Sequence, residues 1–169
     1  MMKKDENLDI AFMKEAIAQA KQAEELNEVP IGAVVVHEGK IIARAYNRRE
    51  TDKDPAGHAE FLALKQAARV LDAWRLTGCT VYVTLEPCIM CSGLMHQSRI
   101  DRCVYGAPDP KAGALGTLYA IHQDERLNHT FEVTGGVLSE ECGQLLSSFF
   151  ARRRQERKAQ KLLEKNSLS

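Results

Sequence analysis

The amino-acid sequence predicts a layered α/β domain, because helical and strand patterns alternate along its 169 residues. Apolar residues recur at three- and four-residue steps over 8–26 and again over 59–71, as in helices that bury one face. Valine-rich and β-branched runs, such as 31–37, alternate with these helices. Since a length of about 150 residues is usual for one domain, we expect a single domain over 1–169.

The first half of the chain is predicted to form a helix, a hairpin, a loop and a second helix. Asn27 is typical of the end of a helix. The runs 31–37 and 41–46 flank a turn at Gly39, so we expect a β-hairpin. Residues 51–57 are polar and contain proline and glycine, which is typical of a loop.

The second half repeats the alternation. Residues 80–85 are rich in β-branched side chains and predict a strand. Pro87 suits the first position of a helix, so we expect a helix over 88–97. A fourth strand, a fifth strand and a basic C-terminal helix follow, over 102–106, 130–133 and about 139–165. Ser139 is predicted to cap that last helix.

Composition limits the possible classes of protein. Hydrophobic residues make up 44% and charged residues 27% of the chain, as in ordinary globular domains. The 23 basic and 23 acidic residues balance, which argues against a uniformly basic nucleic-acid binder but permits a local basic patch. No run approaches the ~20 apolar residues of a membrane helix, and no signal peptide is evident. We therefore expect a cytoplasmic protein with no membrane partner.

The aromatic side chains of Trp74 and Tyr119 are expected to pack internally and not to stack on bases.

The five cysteines do not suggest a disulfide framework, because their number is odd. Three of them flank apolar residues and are expected to be buried free thiols, a common state of cysteine: Cys79, Cys103 and Cys142. Cys88 and Cys91 are spaced differently. Three residues apart near the start of a helix, their sulfurs face the same side and can reach one metal ion.

The predicted metal site combines Cys88 and Cys91 with His58. A catalytic zinc site usually keeps three protein ligands and leaves the fourth position to water, whereas a structural site is closed by four. No fourth ligand lies at a conventional spacing here. Glu60 follows His58 by two residues, near the metal without being a ligand, and its carboxylate is suited to moving protons between water and a substrate.

Two other interpretations of these motifs are possible. The pair Cys88 and Cys91 alone is compatible with a structural zinc half-site or a redox-active pair. A redox pair has no use for His58 or Glu60, and a structural site has no use for a proton shuttle. The combination therefore favours a catalytic metal.

In this order, the motifs resemble the H-x-E…P-C-x-x-C signature of the zinc-dependent nucleobase deaminases. Further segments are similar to bacterial tRNA-specific adenosine deaminases, a family of the cytidine/deoxycytidylate deaminase superfamily, from about residue 9 to residue 162. These segments are Val29 to Val36, Asn47-Arg48, Asp54-Pro55, Tyr82 to Cys88, Ser98 to Ile100 and Phe149 to Glu156.

The resemblance implies a three-layer α/β/α cytidine-deaminase-like fold around a five-stranded mixed sheet. It implies one Zn²⁺ per subunit, a homodimer, and a tRNA anticodon stem-loop as partner. The implied reaction is hydrolysis of adenosine to inosine at the wobble position, the first of the anticodon. It further implies that Asn47 and the backbone of Ala59 contact the flipped base, although Asn47 by itself is also a common turn residue.

The C-terminal helix is the expected RNA contact. Arg152, Arg153 and Arg154 follow Phe149, and local basic density suits phosphates while a phenylalanine ring can stack on an unpaired base. Phe150 offers a second ring, and one of the two is expected to face the core. The alternative is a solvated helix end whose cations complement the helix dipole.

Two rival functions share parts of this pattern. Another deaminase of the superfamily, acting on a free base or nucleotide such as cytidine, deoxycytidylate or guanine, would share the metal motif but would not need the basic helix. A noncatalytic RNA-binding partner with a structural zinc would not need Glu60. Zinc content, together with ammonia release from tRNA and from free nucleosides, distinguishes all three.

Overall fold

The computed structural model describes residues 2–169, with side chains from residue 5 onward. It contains four α-helices and five strands in this part of the chain. They are α1 (Met2–Glu25), β1 (Gly32–His37), β2 (Lys40–Tyr46), α2 (Ala59–Leu71), β3 (Cys79–Leu85), α3 (Ile89–Gln97), β4 (Arg102–Ala107), β5 (Glu132–Thr134) and α4 (Ser139–Ser167), with a 3₁₀ turn at Ile121–Gln123 before β5.

The strands form one mixed sheet in the order β2-β1-β3-β4-β5. Strand β1 pairs antiparallel with β2, as expected for the hairpin. It also pairs antiparallel with β3. Strands β3, β4 and β5 run parallel, because α3 and the long segment after β4 carry the chain back to the same end of the sheet. The five-stranded mixed sheet predicted from the family resemblance is confirmed.

Helices cover both faces of the sheet. Alternate residues of β1 point to opposite sides, so Ala33 and Val35 pack with α2 and α3 in one apolar cluster. Val34 and Val36 pack with α1 and α4 in the other. The fold is therefore a three-layer α/β/α arrangement in which β1 is buried on both faces.

Helix α1 is fixed to the sheet by a close approach and an ion pair. Gly32 lies against the backbone of Ala16 and Ala20, where a side chain would collide with α1. Asp9 is buried and accepts a hydrogen bond from the Tyr82 hydroxyl at 2.8 Å. The Arg102 guanidinium donates to both Asp9 carboxylate oxygens, at 2.9 and 2.8 Å. One carboxylate thus joins α1 to two strands.

Several local predictions need correction. Helix α1 begins earlier than residue 8. Pro87 lies outside α3, because Cys88 is the N-cap residue and the helix starts at Ile89. Ser139 does not cap α4: the N-cap is Leu138 in a left-handed conformation, with no side-chain cap. Trp74 and Tyr119 were expected to be internal, but both are more than half exposed, since each lies in a connecting segment.

In the described part of the chain, no helix combines the length and the apolar character needed to cross a bilayer.

Candidate active site

The three predicted metal ligands come from the amino ends of two helices. His58 is the N-cap of α2 and Cys88 is the N-cap of α3, both with extended backbone and no side-chain cap. Cys91 is the third residue of α3. The N-cap and third-residue side chains of a helix converge, as they do in a capping box, which brings the two sulfurs together. Both helix dipoles direct their positive ends at the sulfurs and favour thiolates.

The distances fit a tetrahedral metal site. The His58 Nδ1 atom lies 3.6 Å from the Cys88 sulfur and 3.5 Å from the Cys91 sulfur. In a tetrahedral site with zinc–sulfur and zinc–nitrogen bonds of about 2.3 and 2.0 Å, nitrogen and sulfur are separated by roughly 3.5 Å. These donor atoms form the one compatible His, Cys or carboxylate group among the described residues. The donor set therefore suits Zn²⁺.

Hydrogen bonds among the three donor side chains shift their pKa values. The Cys91 thiol hydrogen-bonds to the Cys88 sulfur and is the main reason that the pKa of Cys88 falls to about 4. The same contact raises the pKa of Cys91 above its ordinary value. The hydrogen bond to Cys88 also raises the pKa of His58. These hydrogen bonds favour the thiolate form of Cys88, and metal binding requires the remaining donors to give up their protons.

Glu60 lies in the first turn of α2 and is almost completely buried. Burial raises the pKa of its carboxyl to about 7, because removal from water disfavours the charged form. It is not part of the metal-compatible group, as predicted from its spacing to His58.

A cavity of about 310 Å³ opens over these residues, within the usual size range of small-molecule pockets. Asn47, Ala59 and Glu60 line it together with His58 and Cys88. We call it the catalytic pocket.

Asn47 combines the two alternatives considered for it. Its amide nitrogen donates to the Val29 carbonyl at 3.2 Å, and its oxygen accepts the Arg49 N–H at 3.1 Å, as a turn residue does. It also lines the catalytic pocket. A side-chain amide has two N–H donors and two acceptor lone pairs, so one of each is left for a ligand.

Glu86 organises the far wall of the catalytic pocket. Its buried carboxylate accepts the backbone N–H groups of Asp109, Leu115 and Thr117 at 3.1–3.2 Å, and the Thr117 hydroxyl. Gly113 lies directly against it, where any side chain would collide with the carboxylate. Glu86 therefore has a structural role: it ties the loop after β4 to the segment that leads into α3.

A second cavity of about 730 Å³ adjoins the catalytic pocket. It lies between residues 26–29 after α1, residues 49–51 after β2, and the face of α4 that carries Arg153, Arg154 and Arg157. We call it the arginine groove. Val29, Arg49 and Phe150 line both cavities, so the two are direct neighbours.

The structure divides the expected RNA-contact residues into two groups. Arg153 and Arg154 line the arginine groove. Arg152 instead pairs with Glu156 at 3.2 Å and lies over the Phe149 ring. Phe149 is only 3% exposed, whereas Phe150 is 45% exposed. Stacking by Phe149 is therefore contradicted by its burial in the core, and Phe150 is the ring available to a base.

Sequence reasoning missed part of the pocket wall. Val29, Ile31 and Arg49 line the catalytic pocket but carry no metal-binding or catalytic motif. For Arg49 a signal was present, because it lies two residues after Asn47 and so is expected on the same side of an extended segment.

The first half of the chain and the metal site match a known protein class. Residues 6–107 match the model of the cytidine and deoxycytidylate deaminase zinc-binding region. Together with the α/β/α fold and the His-Cys-Cys donor set, this match defines a zinc-dependent hydrolytic deaminase.

More specific matches cover nearly the whole chain. A Bacillus subtilis tRNA-specific adenosine deaminase is 55% identical, over 89% of this chain and 94% of that protein. One from Haemophilus influenzae is 46% identical, over 94% and 92%. A solved structure from work on A-to-I editing by tRNA:A34 deaminases at the wobble position has a TM-score of 0.78 and 40% identity, covering 80% of this chain and 99% of that one. The chain belongs to the tRNA-specific adenosine deaminase family.

Proposed function

We propose that this protein hydrolyses adenosine to inosine at the wobble position of a tRNA anticodon and releases ammonia. The observation that carries the proposal is the adjacency of two cavities. A pocket with a three-donor metal site and a buried carboxylate lies directly beside a groove lined by arginines. A free nucleoside needs only the pocket, whereas a nucleotide within an RNA strand needs both.

Within this proposal His58, Cys88 and Cys91 hold Zn²⁺, which when bound supplies the Lewis acidity that makes water nucleophilic at neutral pH. Glu60 is the proton carrier. Its carboxylate takes a proton from the attacking water and delivers it to the ring nitrogen N1 of adenine. The water oxygen bonds to C6, and Glu60 then transfers the second proton to the departing amino nitrogen. The C6–N6 bond breaks, and the products are inosine and ammonia.

The adenine must leave the base stack of the anticodon loop to reach the catalytic pocket. Asn47 retains one donor and one acceptor, the combination that adenine recognises, and we assign it to the flipped base. Ala59 is the first residue of α2, so its N–H has no partner within the helix and is free to contact the base. Phe150 lies at the rim, where an unpaired neighbouring base can stack on it.

The arginine groove is the proposed path of the RNA backbone. Arg153, Arg154 and Arg157 are adjacent on one face of α4, and guanidinium groups bind phosphate oxygens in a bidentate manner. We assign Arg152 only an indirect part in RNA binding, because its guanidinium lies over the Phe149 ring.

We further propose that the chain acts as one domain in a cytoplasmic homodimer. Large apolar side chains are exposed on α3 and in the loop tied to its start, at Ile89, Leu118 and Tyr119. Exposed apolar surface of this kind marks interfaces, and a second copy of the chain is a suitable partner. A cytoplasmic location accords with the proposed tRNA substrate and with free cysteines.

Ammonia release from an anticodon stem-loop, compared with free adenosine, cytidine and guanine, tests the proposed function. We expect turnover on the stem-loop and little on the free compounds. Glu60→Gln is the matched variant: it should keep stoichiometric zinc and lose roughly 10²- to 10⁴-fold in rate, the usual contribution of an acid–base group. Turnover of a free nucleoside or base in preference to the stem-loop would contradict the assignment.

A further inference from the structure

Glu28 is a buried carboxylate that the proposed chemistry does not use. It lies in the turn between α1 and β1 and is only 1% exposed. Its Oε1 atom accepts two hydrogen bonds from Thr51, one from the backbone N–H at 2.5 Å and one from the hydroxyl at 2.8 Å. A buried charge is costly unless it is paired or fully hydrogen-bonded, so both oxygens of the carboxylate are expected to have partners.

The second oxygen of Glu28 has no hydrogen-bond donor within the described residues. The side-chain hydrogen bonds of Glu28 are confined to Thr51, and Glu28 forms no ion pair with any described cation. A carboxylate can accept about four hydrogen bonds. The second Glu28 oxygen is therefore free to accept hydrogen bonds, while Thr51 holds the carboxylate in one position.

Glu28 and Thr51 both line the arginine groove. The groove lies beside the catalytic pocket, and both are lined by Val29, the residue next to Glu28. When one nucleotide of a strand enters the pocket, the groove is the neighbouring space that an adjacent nucleotide can occupy. Its phosphate suits the arginines, whereas a carboxylate repels phosphate and attracts an N–H donor. The neighbouring base supplies such a donor when it carries an exocyclic amino group.

We propose that Glu28 is a specificity-determining residue that accepts a hydrogen bond from the exocyclic amino group of the base next to the edited adenosine. Thr51 orients the carboxylate by binding its other oxygen. This inference rests on the proposed function. It adds a second base-reading group to the enzyme, in the arginine groove and separate from Asn47 and the metal ligands.

The experiment compares pairs of stem-loops that carry cytosine or uracil at the 5′ or the 3′ neighbour of the reactive adenosine. Binding is measured by fluorescence anisotropy and ammonia release on the same RNAs. For the wild-type protein we expect cytosine to be favoured at one of the two positions by roughly tenfold in Kd, the size of one hydrogen bond to a charged group. Glu28→Gln keeps an oxygen for Thr51 but turns an N–H₂ group towards the groove, so the preference should disappear or reverse.

Thr51→Ala is the matched control, because it removes the hydroxyl bond to Glu28 but keeps the backbone N–H bond and the carboxylate acceptor. It should weaken all four RNAs and largely keep their ratio. Equal weakening of all four by Glu28→Gln would overturn the proposal and leave Glu28 a structural residue.

A test with the wild-type protein does not depend on the folding of any variant. Replacing the neighbouring cytosine by 2-pyrimidinone deletes only the amino group, and Kd should rise by the same factor. No change on this replacement, or no wild-type preference at either position, also overturns the inference. The proposed function fails separately, if no stem-loop releases ammonia.

Discussion

Cys88 and Cys142 differ in environment although both are largely shielded thiols. Cys88 lies at a helix N-cap beside His58 and Cys91, and its pKa falls to about 4. Cys142 is buried among apolar groups, which raises the pKa of its thiol to about 12. Cys88 shares its position with two further donor atoms that can reach the same ion, whereas Cys142 belongs to no such group, so of these two thiols only Cys88 is suited to zinc.

The corresponding prediction compares two alanine variants. Cys88→Ala should lose zinc and deaminase activity together, because two remaining donors do not complete the site. Cys142→Ala should retain one zinc per chain and lose only stability. Elemental analysis of the purified proteins makes the comparison, and stoichiometric zinc in Cys88→Ala would show that the ligand set is wrong.

Asn47 supports a second prediction at the residue scale. Asn47→Ala removes the proposed base contact together with two hydrogen bonds that hold Val29 and Arg49. We expect kcat/KM on the stem-loop to fall at least tenfold while zinc content stays unchanged, as each lost hydrogen bond to a substrate is of that order. Asn47→Asp keeps the hydrogen bond from the Arg49 N–H. If this variant also fails to bind adenine, the loss comes from base recognition and not from loop geometry. Unchanged kcat/KM in both variants would leave Asn47 a turn residue.

The chemistry of each site residue decided whether it could be predicted from the sequence. A zinc ion restricts the type and spacing of its ligands, so His58, Cys88 and Cys91 could be predicted from the sequence. The wall residues Val29 and Arg49 have no such restriction. They meet the pocket because two loops distant in sequence come together, and the bonds that join those loops are visible only in three dimensions.

Among the elements, the attachment of α1 to the sheet has a measurable consequence. Arg102→Met leaves the Asp9 carboxylate buried with only Tyr82 as partner, and breaking a buried pair from one side costs about 3 kcal/mol. Arg44→Met is a matched control, because the Arg44–Glu15 pair is about half exposed and such pairs contribute under about 1 kcal/mol. Urea denaturation midpoints make the comparison, and equal losses would contradict this account of α1.

Element boundaries were harder to predict than element types. A fifth strand was predicted at 130–133, but β5 covers Glu132–Thr134, because its bounds depend on pairing with β4. The start of α3 was misplaced by one residue because Pro87 is compatible with helix position one, and only the N-cap geometry of Cys88 identifies the boundary. The N-cap of α4 is Leu138 and not Ser139, because the chain turns through a left-handed residue there. No side chain near this position predicts such a turn.

At the scale of the whole molecule, the zero net charge conceals an uneven distribution. Three of the four arginines that line the arginine groove occupy one face of α4, and the fourth is Arg49, while other basic residues of that helix lie outside the groove. The salt dependence of RNA binding should therefore depend on position and not on charge alone, since only phosphates in contact release counterions.

Two triple variants with the same charge change test this prediction. Replacement of Arg153, Arg154 and Arg157 by alanine should weaken stem-loop binding and flatten the slope of log K against log salt by about 0.7 for each lost phosphate contact. The control replaces Lys158, Lys161 and Lys165, which do not line the groove. Both proteins should keep their zinc. Equal slopes for the two variants would show that the helix acts only through its overall charge.

The placement of the zinc donors has one more consequence, for the folding of the molecule. His58 and Cys88 are separated by thirty residues that include α2 and the whole of β3. An ion bound by both closes this segment into a loop, as a covalent crosslink would, and reduces the freedom of the unfolded chain. Because the complete donor geometry exists only in the folded state, free zinc shifts the equilibrium towards that state by mass action. Catalysis and resistance to unfolding then depend on the same metal supply.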